Sequence, residues 1–144
     1  MSTQASRFPA RKLRPDGTYG CRGCGGDIPR GRRTWCSQAC KERHDPFWVR
    51  VAVAVRDKGL CCRCGQVVRL PWQAARKVYP TRESYVAYRA VMFRLQRGEF
   101  HHVVPHCEGG AGTADNIQLL CHECHKAVTA QWRKRKAQHA SKTS

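Results

Sequence analysis

Two segments in the middle of the chain have regularly spaced apolar residues, and we predict a helix for each. The first, residues 45–59, reads DPFWVRVAVAVRDKG, and its valines at every second position favour a strand. The Asp-Pro pair at its start is typical of a helix beginning, however, and Gly59 is typical of a helix end. We therefore predict a helix, with Phe47, Val51 and Val55 on one face.

The second segment runs from Pro80 to Gly98. Its apolar side chains recur at helical spacing, and we expect them to pack in the core: Tyr85, Tyr88, Val91, Met92 and Leu95. The arginines between them fit a solvated face and a phosphate-binding face equally well: Arg82, Arg89, Arg94 and Arg97. Residues 66–79, which precede this segment, carry no strong pattern.

Ten cysteines in 144 residues call for an explanation. Eight of them form three Cys-x-x-Cys pairs and one Cys-x-x-x-Cys pair. Tetrahedral zinc takes four soft ligands, and close pairs on tight turns supply them two at a time. The spacing therefore predicts two structural zinc sites and leaves Cys62 and Cys107 unassigned.

The first predicted site lies in residues 20–44. Its ligands are Cys21, Cys24, Cys36 and Cys40. Ser37 is a good N-cap for a helix that extends to about His44. The unit resembles small bacterial zinc fingers of the CxxCG…CSxxC type, a resemblance that does not fix a function. Residues 1–19 are basic and interrupted by proline and glycine, and we predict a flexible arm there.

The charge of the chain favours a polyanionic partner. Lys and Arg total 27 against 10 for Asp and Glu, which gives a formal net charge of +17. Such an excess favours a polyanion, and nucleic acid first. The apolar stretches are shorter than the roughly 20 residues that a membrane-spanning helix needs, and we expect no membrane association. The N-terminus lacks the apolar core of a secretory signal, so we expect a cytoplasmic, DNA-associated protein.

Residues 99–132 are rich in side chains that can bind metal or transfer protons, and they read EFHHVVPHCEGGAGTADNIQLLCHECHKAVTAQW. This stretch resembles the HNH endonucleases, the ββα-metal nucleases, with His102, Asn116 and His125 at the signature positions. The upstream RDKGLCCRCG is similar to the segment that precedes such domains. On this resemblance, residues 45–136 form the nuclease domain.

The resemblance implies a hairpin with a helix packed across it. His101 would face the helix and bind a divalent metal together with His125, while His102, on the other side of the strand, would act as general base toward the attacking water. Asn116 would either ligate the metal or bond to backbone and hold the hairpin. The metal would be Mg²⁺, Mn²⁺, Ni²⁺ or Zn²⁺, because imidazole ligands widen the choice beyond Mg²⁺.

Two further groups of residues complete the predicted site. The second structural zinc would be held by Cys61, Cys64, Cys121 and Cys124. A basic run in the C-terminal segment would contact DNA phosphates: Arg133, Lys134, Arg135 and Lys136. Residues 137–144 would form a fraying tail.

We therefore expect a small, zinc-stabilised α+β protein in which a zinc finger precedes an HNH domain. It would use two structural zinc ions and one catalytic metal to hydrolyse double-stranded or branched DNA. The alternative, from a different class, is a non-catalytic zinc-finger protein that binds nucleic acid on an HNH scaffold. The intact histidines and Asn116 argue against this alternative, because binding alone needs none of them.

Overall fold

A computed structural model describes residues 9–142 as a small α+β protein with two two-stranded sheets. The strands are β1 (Lys12–Leu13), β2 (Tyr19–Gly20), β3 (Gly98–His102) and β4 (Ile117–Cys121). The helices are α1 (Gln38–His44), α2 (Pro46–Arg56), α3 (Trp72–Val78), α4 (Arg82–Val91) and α5 (His122–Lys142). Three single 3₁₀ turns cover Met92–Arg94, His106–Glu108 and Ala114–Asn116.

The N-terminal hairpin packs on the first cysteine cluster. Strands β1 and β2 pair antiparallel, and the Lys12 ammonium donates to the Gly23 carbonyl at 2.6 Å. Arg14 forms an ion pair with Asp27 at 2.5 Å. These contacts tie residues 12–20 to the cysteine unit, within the segment that we predicted as a flexible arm. Residues 1–8 of that arm lie outside the described part of the chain.

Helices α1 and α2 begin where the capping residues predicted. The Ser37 hydroxyl accepts the Cys40 N–H at 3.0 Å, and the Asp45 carboxylate accepts the Phe47 N–H at 3.0 Å. The prediction of a helix rather than a strand is confirmed for α2. Its buried face differs from the one we expected: Phe47 and Val55 are exposed, and the core takes Val49, Val51, Val53 and Ala54.

Helix α3 was not predicted, whereas α4 was. Helix α3 has seven residues, and only its two alanines are buried, so its sequence shows no periodic pattern of apolar residues. In α4 the Thr81 hydroxyl caps the Ser84 N–H, and the buried Tyr88 hydroxyl accepts the Leu70 N–H at 2.7 Å. Of the residues that we expected in the core, Tyr88 is buried and Val91 is exposed. The other three are half-buried and pack against the core: Tyr85, Met92 and Leu95.

The second sheet and α5 frame the histidine-rich end of the molecule. Strands β3 and β4 pair antiparallel with His101 opposite Gln118 and His102 opposite Ile117. Leu119 and Leu120 of β4 are fully buried, and α5 packs Val128 against this core. Helix α5 runs unbroken through the basic run to Lys142, so it extends into the segment that we predicted as a tail. Within residues 9–142, no helix combines the length and the apolarity needed to cross a membrane.

Candidate functional site

The adjacent histidines at the end of β3 point to different neighbours. Successive side chains of a strand leave opposite faces. His101 lies against His125 of α5, with ring centroids 5.3 Å apart and an angle of 70° between the planes. Two residues earlier, Glu99 Oε1 lies 3.6 Å from His122 Nδ1 of the same helix. Helix α5 therefore covers the face of β3 that carries Glu99 and His101.

His102 lies in a half-buried, positively charged setting. Burial is the main cause that lowers the pKa of His102 below its ordinary value, and the nearby charges of His106 and Arg50 lower it further. Burial likewise lowers the pKa of His101, with His125 and His102 adding to the effect. Both imidazoles are therefore neutral near pH 7, and each has a nitrogen lone pair that can accept a proton or bind a metal.

An open cleft of about 570 Å³ brings these histidines together. Three of the residues that we assigned to one site border it: His101, His102 and His125. The rest of its wall includes a hydroxyl, an amide, an indole and a guanidinium group, from Thr129, Gln118, Trp132 and Arg135. The cleft thus joins imidazole nitrogens to neutral polar groups and to one positive charge.

Both polar atoms of the Asn116 carboxamide form hydrogen bonds with the backbone. Its Oδ1 accepts the Val104 N–H at 2.9 Å, and its Nδ2 donates to the carbonyls of Val104 at 3.0 Å and Ala111 at 2.8 Å. A side chain at Gly110 would collide with the Val104 carbonyl and come within 2.8 Å of Asn116 Nδ2. Of the two predicted roles, this geometry favours holding the hairpin loop over metal ligation, because the amide groups already have partners.

An Arg-Asp clamp attaches β4 to the end of α2. The Arg56 guanidinium donates to the carbonyls of Ala114 and Ile117, both at 2.6 Å, and pairs with Asp57 at 2.7 Å. The Asp57 carboxylate also accepts the Leu119 N–H at 3.0 Å. Burial alone would raise the pKa of Asp57, but the hydrogen bonds from Arg56 and Leu119 lower it on balance. Both clamp residues belong to the motif RDKG, whose sequence alone indicated no role for them.

The eight paired cysteines form two compact clusters. The first contains Cys21, Cys24, Cys36 and Cys40, and the second contains Cys61, Cys64, Cys121 and Cys124. In each cluster the sulfur atoms all lie within 4.8 Å of one another. A zinc tetrahedron with Zn–S bonds of about 2.3 Å places its sulfurs about 3.8 Å apart. The spacings of 3.4 Å for Cys21–Cys40 and 3.8 Å for Cys64–Cys121 fit such a site.

Backbone amides prepare one thiol in each cluster for a metal. Burial would raise the pKa of the Cys21 thiol, but hydrogen bonds from the backbone of Cys24 and Cys36 outweigh it and lower the pKa to about 6. The same balance, with backbone of Cys121 and Cys64, lowers the pKa of Cys61 to about 6. Thiolate is the form of cysteine that binds metal, and the lowered pKa values favour thiolate at Cys21 and Cys61, whereas the pKa values of their neighbours Cys40 and Cys124 are raised to about 12.

The basic run on α5 reaches the cleft through only one residue. Arg135 borders the cleft, and the Lys136 ammonium lies 4.8 Å from the centre of the Trp132 ring. The Trp132 indole donates to Glu108 Oε1 at 3.1 Å, which links α5 to the turn after β3. Arg133 and Lys134 are exposed outside the cleft. Trp132 was not predicted as a site residue, although its position one helical turn after Val128 and Thr129 was the available signal.

Comparison with known families gives a match to a family described as HNH endonuclease, over residues 92–131. These residues, about a quarter of the chain, are therefore similar to that family. No curated protein and no solved structure matches the chain.

The segment that matches the family, residues 92–131, depends on residues that lie before it. It contains β3, β4, Asn116 and the His101–His125 pair. The segment contributes Cys121 and Cys124 to the second cysteine cluster, which also needs Cys61 and Cys64. The hairpin of β3 and β4 is attached to the end of α2 by the Arg-Asp clamp. The structure around the matched residues therefore includes upstream elements that lie outside residues 92–131.

Proposed function

We propose that the protein is a metal-dependent HNH endonuclease that hydrolyses DNA phosphodiester bonds. The observation that carries the proposal is the opposition of His101 and His125 in a cleft that His102 also borders. The match to the HNH endonuclease family supports a nuclease-type activity for this arrangement.

The donor set of the cleft fits a divalent cation. His101 and His125 would hold it, since two neighbouring imidazoles suit Mn²⁺, Ni²⁺ or Zn²⁺, and water would fill the remaining positions. A site with few protein ligands keeps room for substrate oxygens, as catalytic metal sites do. When bound, the cation would supply a Lewis acid for the charge that develops on the phosphate.

The remaining chemistry belongs to the protein's own side chains. His102, neutral at pH 7, would take a proton from the attacking water, which is the task of a general base. Asn116 would keep the loop after β3 in place through its backbone hydrogen bonds, and the Arg56–Asp57 clamp would fix β4 behind it. We assign both as positioning residues, because their polar groups contact backbone.

The two cysteine clusters would hold structural zinc. Both offer four thiols and no open position, which is typical of structural sites. The second cluster joins a turn near residue 61 to the first turn of α5, the helix that carries His125. We propose residues 20–44 as a zinc-finger unit and residues 45–136 as the nuclease domain.

Charge favours a nucleic acid as the substrate. The net charge of +17 and Arg135 at the edge of the cleft suit a phosphate backbone. The basic run on α5 would extend this contact along the helix: Arg133, Lys134, Arg135 and Lys136. We propose a DNA-associated protein on this basis.

A plasmid assay tests the proposal. We expect purified protein to convert supercoiled plasmid in the presence of Mn²⁺, to stop on addition of EDTA, and to resume when Mn²⁺ is restored in excess. His102→Ala should abolish the conversion, whereas His139→Ala, on α5 but outside the cleft, should not. Strong DNA binding without conversion under any divalent metal would instead support the non-catalytic binder.

A further inference from the structure

A second cavity, of about 450 Å³, lies beside the cleft and is walled by three arginines. Arg50 comes from α2, Arg69 precedes α3, and Arg97 precedes β3. Phe100 of β3 borders both this cavity and the cleft. We call the cavity the arginine groove.

The backbone brings the three arginines together. Arg69 pairs with Arg97 in a parallel bridge, in which the Arg69 N–H donates to the Gln96 carbonyl at 2.8 Å and the Gly98 N–H donates to the Arg69 carbonyl at 2.9 Å. A side chain at Gly98 would come within 3.0 Å of Val68 and 3.2 Å of that carbonyl, so glycine permits the close approach. Arg50 joins them from α2, with its guanidinium carbon 5.9 Å from the centre of the Phe100 ring.

This concentration of positive charge has no anionic partner in the described residues. Glu99 is the one acidic residue among those that line the groove, and its carboxylate oxygen lies 3.6 Å from His122. Within residues 9–142, none of the three guanidinium groups forms an ion pair with a carboxylate. Three guanidinium groups that border one cavity without an ion-paired carboxylate make that cavity favourable for an anion.

We propose that the arginine groove binds a backbone phosphate of the nucleic acid next to the one that is cut. The inference rests on the proposed function for the identity of the reacting phosphate. Guanidinium groups present forked donors that match phosphate oxygens. Phe100 separates the groove from the cleft and lies two residues before His102 on the same strand, so one continuous strand of nucleic acid would occupy both.

The salt dependence of DNA binding tests the proposal without any cleavage. Affinity for a fluorescent duplex oligonucleotide would be measured across salt concentrations in a His102→Ala background, with no divalent metal added. In a plot of log affinity against log salt concentration, we expect the double variant Arg50→Gln/Arg97→Gln to have a shallower slope than the parent. The difference should be about 0.9 for each phosphate that the protein no longer neutralises. The matched control is Arg63→Gln/Arg89→Gln, which removes the same charge from exposed positions outside the groove, and its slope should stay near that of the parent.

A charge-preserving variant separates a missing phosphate interaction from a damaged fold. Arg50→Lys/Arg97→Lys should keep most of the slope, because lysine still neutralises phosphate as a point charge. Equal slopes for the glutamine variant and its control would overturn the proposal, as would an equal fall in slope for the lysine variant. A groove-dependent slope in a protein that never cuts plasmid would instead overturn the proposed function and leave the groove assignment standing.

Discussion

Replacing Asn116 by aspartate separates the two roles that the sequence left open for this residue. Aspartate is an equal or better metal ligand, so a ligating Asn116 would tolerate the change. In the structure, however, the amide nitrogen donates to the carbonyls of Val104 and Ala111. A carboxylate cannot donate, and it would direct its negative oxygen at those two carbonyl oxygens. The acceptor side is preserved, since Oδ1 would still receive the Val104 N–H.

The size of the effect follows from the hydrogen bonds that are removed. Two bonds at about 0.5–1.5 kcal/mol each give a loss of about 1–3 kcal/mol, before repulsion between the oxygens is added. Asn116→Ala loses three bonds, but water can reach the freed groups because Val104 and Ala111 are exposed, so we expect about 2 kcal/mol. For a domain of this size about 2 kcal/mol lowers Tm by roughly 6 °C. Aspartate should therefore destabilise at least as much as alanine.

Thermal unfolding at fixed zinc, together with Mn²⁺ titration of each variant, measures both sides of this argument. Amide exchange at Val104 gives a local check, because its N–H keeps an acceptor in the Asn116→Asp variant and loses it in the Asn116→Ala variant. If Asn116→Asp unfolds at the wild-type temperature and binds Mn²⁺ more tightly, the holding role is wrong and Asn116 is a ligand.

Four further predictions concern the metals, the base, the clamp and the basic run. Native mass spectrometry after mild EDTA treatment should show two zinc ions per chain, and Cys124→Ser should leave one; disulfides in place of zinc would contradict this. The rate kcat/KM should rise with pH to a plateau, with a midpoint below about 6.5, because burial lowers the pKa of His102 and only the neutral imidazole accepts a proton; a midpoint above that value would contradict it. Arg56→Lys should destabilise the protein by about 2 kcal/mol, since lysine cannot reach both carbonyls as the guanidinium fork does, whereas Arg63→Lys should change little; equal melting temperatures would contradict it. Replacing the basic run by glutamine should lower the slope of log affinity for DNA against log salt concentration, and the residues replaced would be Arg133, Lys134, Arg135 and Lys136. An unchanged slope would mean that the run is a solvated surface.

The sequence predicted the elements whose signals are local. Capping by Ser37 and Asp45 depends on bonds within three residues, and the helix starts of α1 and α2 are found where those bonds predict them. The resemblance to the HNH endonucleases implied that His101 would meet His125, and strand alternation alone required only that His101 and His102 leave opposite faces of β3.

The features that the sequence did not predict depend on contacts between distant parts of the chain. The Arg56 guanidinium reaches the Ile117 carbonyl across 61 positions, and no periodicity encodes that contact. The arginine groove arises from a bridge between Arg69 and Arg97, and Arg69 lies in a stretch where no pattern was visible. The segment around Lys12 resembled a disordered basic arm, because composition does not show that the Gly23 carbonyl would receive its ammonium group.

The most direct test of the central claim compares metal affinity and cleavage in His102→Ala and His125→Ala. Calorimetry with Mn²⁺ should give near wild-type affinity for His102→Ala, while its cleavage rate falls by about 10² to 10⁴, the usual effect of losing a general base. His125→Ala should bind Mn²⁺ weakly, because the substitution removes one of the two neighbouring imidazoles that would hold the ion. The cleavage rate of this variant should recover in part at high Mn²⁺. Loss of Mn²⁺ binding in His102→Ala together with retention in His125→Ala would contradict the assignment of base and ligand.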